Sequence, residues 1–293
     1  MMTSCRQPAA PWLRKRVDTS DDFVVTKAIL RECACHTVCE SARCPNINEC
    51  FSRKTATFMI LGDRCARACS FCAVTKGAPR EVDEAEPERI ASAVERLGLS
   101  YVVVTSVTRD DLPDGGASQF VRVITALKSR AHDTAVEVLV PDFLGDEKSI
   151  CAVAGAGPDI FAHNIETVER LYPSVRNGAD YRRSLSVLRK AKEASPTRQV
   201  KTSLMVGLGE RTEEVIAALK DIRSTGCDIV TIGQYLSPGP AHAPVARYVA
   251  PEEHALYEGY GTKIGFKNMF CGTFIRSSYR AEEVFAASKG GIT

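Results

Sequence analysis

The sequence predicts an α/β fold, a partial (β/α)6 barrel of the TIM type, with a cysteine-rich N-terminal extension and a C-terminal segment folding back on the barrel. Three observations carry this expectation. After Thr55, short β-branched runs alternate with helical patterns at intervals of about 25 to 45 residues, the mark of repeated βα units. The runs are almost continuously apolar, which suits parallel strands buried on both faces. After Gln234 the chain turns rich in Pro and Gly, with one further helix candidate near 251–260 and no seventh or eighth strand.

Taken in order, residues 1–54 lack a βα pattern and hold five closely spaced cysteines, so they read as an extension organised by metal. Residues 55–260 read as the barrel, with strands at 55–62, 101–106, 135–140, 160–163, 200–206 and 229–233. Between them Ile90, Val94 and Leu97 fall at i, i+4, i+7, as do Phe120, Ile124 and Leu127, and Val215, Leu219 and Ile222. Each set makes one apolar helix stripe that packs on the sheet. Residues 261–293 read as a tail packed against the barrel. No repeat beyond the βα alternation and no low-complexity segment is present.

The chain has 293 residues, 44 % hydrophobic and 25 % charged, with a net charge of +2, so it has material for a large core and no strong field. Neither nucleic acid nor a membrane is expected as a partner. The basic start, Trp12-Leu13-Arg14-Lys15-Arg16, is followed closely by Asp18, Asp21 and Asp22, and targeting peptides are poor in acid. The expected location is the cytoplasm. Twelve cysteines cannot persist there as disulfides, which leaves metal binding as their natural use. Cys151 and Cys227, inside apolar stretches, read as packing residues.

The strongest motif is Cys65-x3-Cys69-x2-Cys72, immediately after the first strand and so on the active face of a parallel barrel. Three thiolates on one tight loop can bind three irons of a cubane and leave the fourth open to a ligand. The alternative is zinc, which wants four ligands, commonly in two separated pairs. A second trio precedes it, Cys39-x4-Cys44-x5-Cys50, too irregular for a zinc ribbon, with His36 the one histidine near enough to complete a zinc site. Nothing in the spacing of Cys33 and Cys35 makes them necessary as ligands.

The Cys65-Cys69-Cys72 loop resembles the radical S-adenosylmethionine superfamily. The pairing of both trios, together with Thr55-Ala-Thr-Phe-Met-Ile-Leu-Gly-Asp63, Tyr101-Val-Val-Val-Thr-Ser-Val-Thr-Arg-Asp-Asp-Leu112, His163-Asn-Ile-Glu-Thr167, Gly233-Gln-Tyr-Leu236 and Arg276-Ser-Ser-Tyr279, is similar to the lipoyl synthase family from Trp12 to Tyr279. The resemblance implies two [4Fe-4S] clusters. Cys65, Cys69 and Cys72 would hold the catalytic one, and Cys39, Cys44 and Cys50 an auxiliary one completed by Ser278, with Ser277 the rival. It implies insertion of two sulfurs, at C6 and C8 of a protein-bound octanoyl-lysine, from the auxiliary cluster, with two S-adenosylmethionine molecules consumed per lipoyl group. The implied partners are octanoylated carrier domains (the E2 subunits of 2-oxoacid dehydrogenases and the glycine cleavage H protein), a reductant such as flavodoxin or ferredoxin, and an iron-sulfur carrier. The chain departs from the family at Phe51-Ser-Arg-Lys54 and at Cys271-Gly-Thr-Phe-Ile275, where many relatives carry Gly-Pro-Leu-Val; Cys271 reads as a packing residue.

Strand ends supply the other candidates for holding the cofactor. Thr105, Ser106, Arg109 and Asp111 belong to a polar stretch ending in Gly115 and Gly116 that is able to hold the zwitterionic methionine end of the cofactor, a simple polar turn being the lesser reading. Glu137 lies inside the third strand, where a carboxylate is costly unless it meets a ligand or a cation. Asn164 and Glu166 follow the fourth strand, where Thr167 is a helix-cap candidate. Gly207, in Met205-Val-Gly-Leu-Gly-Glu210, permits close backbone approach to an adenine or ribose, a tight strand-to-helix turn being the equal alternative, and Gln234 ends the sixth strand. Rival readings are another two-cluster radical enzyme, biotin-synthase-like or peptide-modifying, a non-catalytic iron-sulfur electron carrier, and a zinc module.

Overall fold

The computed structural model describes residues 11–15 and 20–288; Arg16 and Asp18 of the basic start lie outside them. The N-terminal part supplies α1 (Asp21–Glu32), β1 (His36–Thr37), α2 (Val38–Ser41) and α3 (Ile47–Ser52). Strands and helices then alternate: β2 (Thr57–Ile60), a minor pair β3 (Arg64–Cys65) and β4 (Thr75–Lys76), α4 (Glu86–Leu97), β5 (Tyr101–Ser106), α5 (Ala117–Arg130), β6 (Ala135–Leu139) and α6 (Glu147–Gly155). There follow β7 (Ile160–Ala162), α7 (Tyr172–Val175), α8 (Tyr181–Ala194), β8 (Gln199–Val206), α9 (Thr212–Ser224), β9 (Ile229–Gln234), α10 (Pro251–Lys263), β10 (Asn268–Gly272) and α11 (Ala281–Ser288).

One sheet runs in the order β1-β2-β5-β6-β7-β8-β9-β10. Every neighbouring pair from β2 to β10 is parallel, and β1 alone runs antiparallel, on β2. This is an incomplete parallel barrel. The stripes on α4, α5 and α9 are buried as their spacing requires. Among the described residues no helix is long and apolar enough to cross a membrane.

The expectation of no strand beyond 229–233 is corrected. β10 pairs in parallel with β9, from Asn268 opposite Ile229 to Gly272 opposite Gly233. It begins on Asn, ends on Gly and has one buried member, Met269, so it lacks the apolar run that marks its neighbours. Its place is set by packing: a Cβ on Gly261 would stand 2.6 Å from the Met269 sulfur, so α10 reaches β10 only because that position is glycine.

At the strand starts α11 lays Ala281 and Val284 against Tyr101, Val103, Ile160 and Ile229 and closes the barrel interior. Within this lower half lies Glu137, fully buried, with Lys201 Nζ donating to both carboxylate oxygens at 2.9 Å and Tyr101 OH donating at 2.6 Å. The cation that the strand carboxylate needs therefore comes from β8.

Candidate active site

At the opposite end, a cavity of about 330 Å³ opens at the C-terminal edge of the strands. It is lined by Cys65, Cys69 and Cys72 on one side and by Cys39 and Cys44 on the other, with Thr105, Ser106, Asn164, Glu166, Ser277 and Ser278 between. The size falls in the range of about 300–1,000 Å³ usual for small-molecule sites.

The loop of the first trio is fixed at several points. Cys65 stands on β3, paired with β4, and Gly77 N–H closes the loop onto Cys65 O at 3.2 Å. Thr108 N–H donates to Cys65 Sγ at 3.3 Å, and Ser70 N–H donates to Val175 O of α7 at 3.0 Å. Arg67, 9 % exposed, donates to Asp110 at 2.7 and 2.9 Å and to Asp142 at 3.0 and 2.6 Å, pinning the loop to the ends of β5 and β6. Burial pushes the Cys69 thiol up to about 11 against the pull of the Arg176 guanidinium, and burial raises Cys72 as well.

The second trio hangs on short helices. Thr37 caps α2, accepting from Glu40 N–H at 3.3 Å, and Cys44 N–H turns back onto Cys39 O at 3.0 Å. Cys50 lies on α3 and does not line the cavity. Burial, then the neighbouring Cys44, lifts Cys39 to about 12 and Cys50 to about 11. Burial that disfavours the Cys39 and Cys50 thiolates would be offset by a positive centre such as iron. Among the described residues no three of His, Cys, Asp or Glu converge on the position of one ion. A cubane, with one thiolate per iron, does not require it.

Between the trios the two serines part company. Ser277 Oγ donates to Asn164 Oδ1 at 3.0 Å, and Asn164 Nδ2 donates to Glu166 Oε1 at 3.0 Å. Ser278 Oγ accepts from Thr57 Oγ1 at 2.8 Å, and Thr57 also lies against the Cys39 thiol. Glu166 holds a left-handed φ of 67° while bridging to β8, with Met205 N–H donating to its carbonyl at 2.8 Å. Burial raises its carboxyl, opposed by Arg176 and Arg276. Ser106 Oγ is buried in the cavity wall with no hydrogen-bond partner, an orphan that a polar ligand would satisfy.

Five of the nine cofactor-holding candidates, Arg109, Asp111, Glu137, Gly207 and Gln234, do not reach the cavity. Glu137 is taken by Lys201. Arg109 is paired with Asp111 at 2.8 Å, and Gly207 N–H donates to Glu210 at 2.6 Å in a tight loop. Gln234 ties the 235–249 loop, donating to Arg247 O and accepting from Val249 N–H. Cys33 and Cys35 bond within their own loop and to α4, where Arg89 O accepts from Cys35 Sγ at 3.8 Å. Sequence reasoning missed Arg67, Arg176 and Asp142 and gave no role to Arg276, all on the cavity wall; the available signals were Arg67, midway between two cysteines, and Arg276, first in the serine motif.

Residues 59–222 match the model of the Radical SAM superfamily. Lipoyl synthase of Caldicellulosiruptor saccharolyticus is 56 % identical over 93 % of this chain and 95 % of its own. That of Thermus thermophilus is 52 % identical over 94 % and 85 %, and that of Xanthomonas campestris 49 % over 97 % and 84 %. Among solved structures, Streptococcus suis SuiB bound to S-adenosylmethionine aligns with a TM-score of 0.59 at 13 % identity, over 78 % of this chain and 54 % of that one. Methylornithine synthase aligns at 0.53 and 18 %, over 72 % and 63 %; these two likenesses concern the fold. The chain belongs to the lipoyl synthase family, radical S-adenosylmethionine enzymes that use a [4Fe-4S] cluster and that cofactor to insert sulfur into an octanoylated carrier.

Proposed function

We propose that Cys65, Cys69 and Cys72 hold the cluster that binds S-adenosylmethionine, and that Cys39, Cys44, Cys50 and Ser278 hold a second [4Fe-4S] cluster. When bound, these groups supply a 5'-deoxyadenosyl radical and sulfide for insertion at C6 and C8 of the octanoyl chain, two cofactor molecules being used per lipoyl group. The observation that carries the reading is the single cavity lined by members of both trios. The protein's work is placement and exclusion of water.

Ser106, Asn164 and Glu166 are the cofactor-holding side chains on this reading. Thr105, whose hydroxyl donates to Leu139 O at 2.9 Å, keeps the wall in register. Arg109, Asp111, Glu137, Gly207 and Gln234 brace the strands and loops behind it. Ser278 is favoured over Ser277 as a ligand because Thr57 links it to Cys39, whereas Ser277 is occupied by Asn164. Met59, Val107, Leu139, Leu204 and Met205 give the cavity apolar surface suited to an alkyl chain. Residues 1–54, 55–260 and 261–293 act as cluster-bearing extension, barrel and serine-bearing tail of one site.

The partners follow from the same reading: octanoylated E2 domains or H protein as substrate, flavodoxin or ferredoxin as reductant, an iron-sulfur carrier for rebuilding, all in a reducing cytosol. The test is anaerobic incubation of the two-cluster protein with reductant, S-adenosylmethionine and an octanoylated carrier peptide, read by mass spectrometry. Two sulfurs gained per chain are expected. Cys39→Ala should still cleave the cofactor and add no sulfur; lipoyl product from that variant, or zinc in place of iron, would overturn the proposal.

A further inference from the structure

Glu49, one residue before Cys50, gathers donors from both ends of the chain. Lys15 Nζ lies 2.7 Å from its Oε2, while Tyr279 OH donates to Oε1 at 2.8 Å and Arg280 at 3.1 and 3.3 Å. Lys15 also donates to Asn46 Oδ1 at 2.5 Å and sits over the rings of Phe274 and Tyr279, 5.4 and 4.7 Å from their centroids. Asn46 Nδ2 in turn donates to Phe274 O at 2.8 Å. Three segments thus close on one carboxylate: the basic start, the turn and helix α3 that run from Cys44 to Cys50, and the tail on either side of Ser278.

The arrangement is built rather than incidental. Lys15 and Glu49 side chains are 21 % and 24 % exposed, so their pairing is less screened than that of a surface ion pair. None of Lys15, Glu49, Tyr279 and Arg280 lines the cavity of the two trios. Arg280, with a left-handed φ of 50°, makes the sharp turn that separates the serine motif from α11.

We propose that Glu49 is a positioning residue: with Lys15, Tyr279 and Arg280 it latches the Ser278 segment over the auxiliary trio, and this latch governs how fast iron leaves and re-enters that site. The inference rests on the reading of Ser278 as the fourth auxiliary ligand. A site that gives up sulfide must release its irons and be refilled. The cysteines lie on one segment and the serine on another, so separating the segments is the opening movement; Glu49 ties them with several donors, beside the more exposed Arg53–Glu283 pair at 2.7 Å.

The experiment follows ferrous chelation over time in anaerobically purified two-cluster protein, comparing wild type with Glu49→Gln, Tyr279→Phe and Ser278→Ala, alongside 5'-deoxyadenosine formation. Losing the charge-assisted bonds of Glu49 should speed release of the auxiliary half of the iron about tenfold, with a smaller effect for Tyr279→Phe. Cofactor cleavage should stay at the wild-type rate in both. Ser278→Ala should release iron fastest. If Ser278→Ala is fast but Glu49→Gln and Tyr279→Phe behave as wild type, the latch is refuted and the serine assignment stands. If Ser278→Ala releases iron as slowly as wild type, the serine assignment fails and takes the latch with it. Tyr279→Phe, which deletes one donor, carries the test should Glu49→Gln not fold.

Discussion

Arg67, midway between Cys65 and Cys69, donates to both oxygens of Asp142, a carboxylate with no solvent exposure that also accepts from Arg183 Nε at 2.8 Å. With Asp110 on the other side of the guanidinium, two arginines and two aspartates alternate from the cysteine loop to α8. The charges balance, so the ladder's role is to fix the loop. Arg67→Met would leave Asp142 short of a partner and lower stability by about 3 kcal/mol. Arg67→Lys should recover only part, because an ammonium cannot span two carboxylates as a planar fork does. Denaturant unfolding of the cluster-free protein measures both, and a change below about 1 kcal/mol in Arg67→Met would refute the account.

Lys201→Met should cost about 3–5 kcal/mol, since it leaves the Glu137 carboxylate in the barrel without a cation. The double variant Lys201→Met with Glu137→Leu should regain most of that loss and bind S-adenosylmethionine as the wild type does. Urea unfolding and equilibrium binding test the two halves. Weakened cofactor binding in the double variant would return Glu137 to the site.

Gly233 has no room for a side chain: a Cβ there would stand 1.9 Å from the carbonyl oxygen of Ile275. Gly233→Ala should therefore displace the segment leading to Ser277 and Ser278, cutting sulfur insertion by at least about tenfold while the Cys65 loop keeps its cluster. Iron counting together with product mass would show whether only one of the two sites has suffered.

Arg247 donates to Glu253 at 2.6 and 2.7 Å and holds its carboxyl at about 2, below the unfolded value of about 4.3. A depressed carboxyl contributes stability that is present above the unfolded value and lost as pH falls through the folded one. The wild type should thus lose on the order of 2 kcal/mol between about pH 4.5 and 2 on account of this group. Glu253→Gln should flatten that part of the acid limb; an unchanged slope would assign the loss to other carboxylates.

The sequence alone determined the parallel barrel, because continuous apolar runs and helix stripes are local patterns that burial on both faces of a sheet imposes. It also displayed the two cysteine trios, because their spacing, one on a tight loop and one across two short helices, is a local feature of the chain. Tertiary structure decided what depends on residues far apart in the chain. β10 exists through its register with β9 and the absence of a side chain at Gly261. Glu137, a plausible site carboxylate by position, turned inward to Lys201, 64 residues away. Ser277 and Ser278 are adjacent in sequence, yet one meets Asn164 and the other Thr57. Glu49 meets Tyr279 across 230 residues. Such pairings are chosen by which polar groups find partners once the core has excluded water, and no local pattern carries that choice.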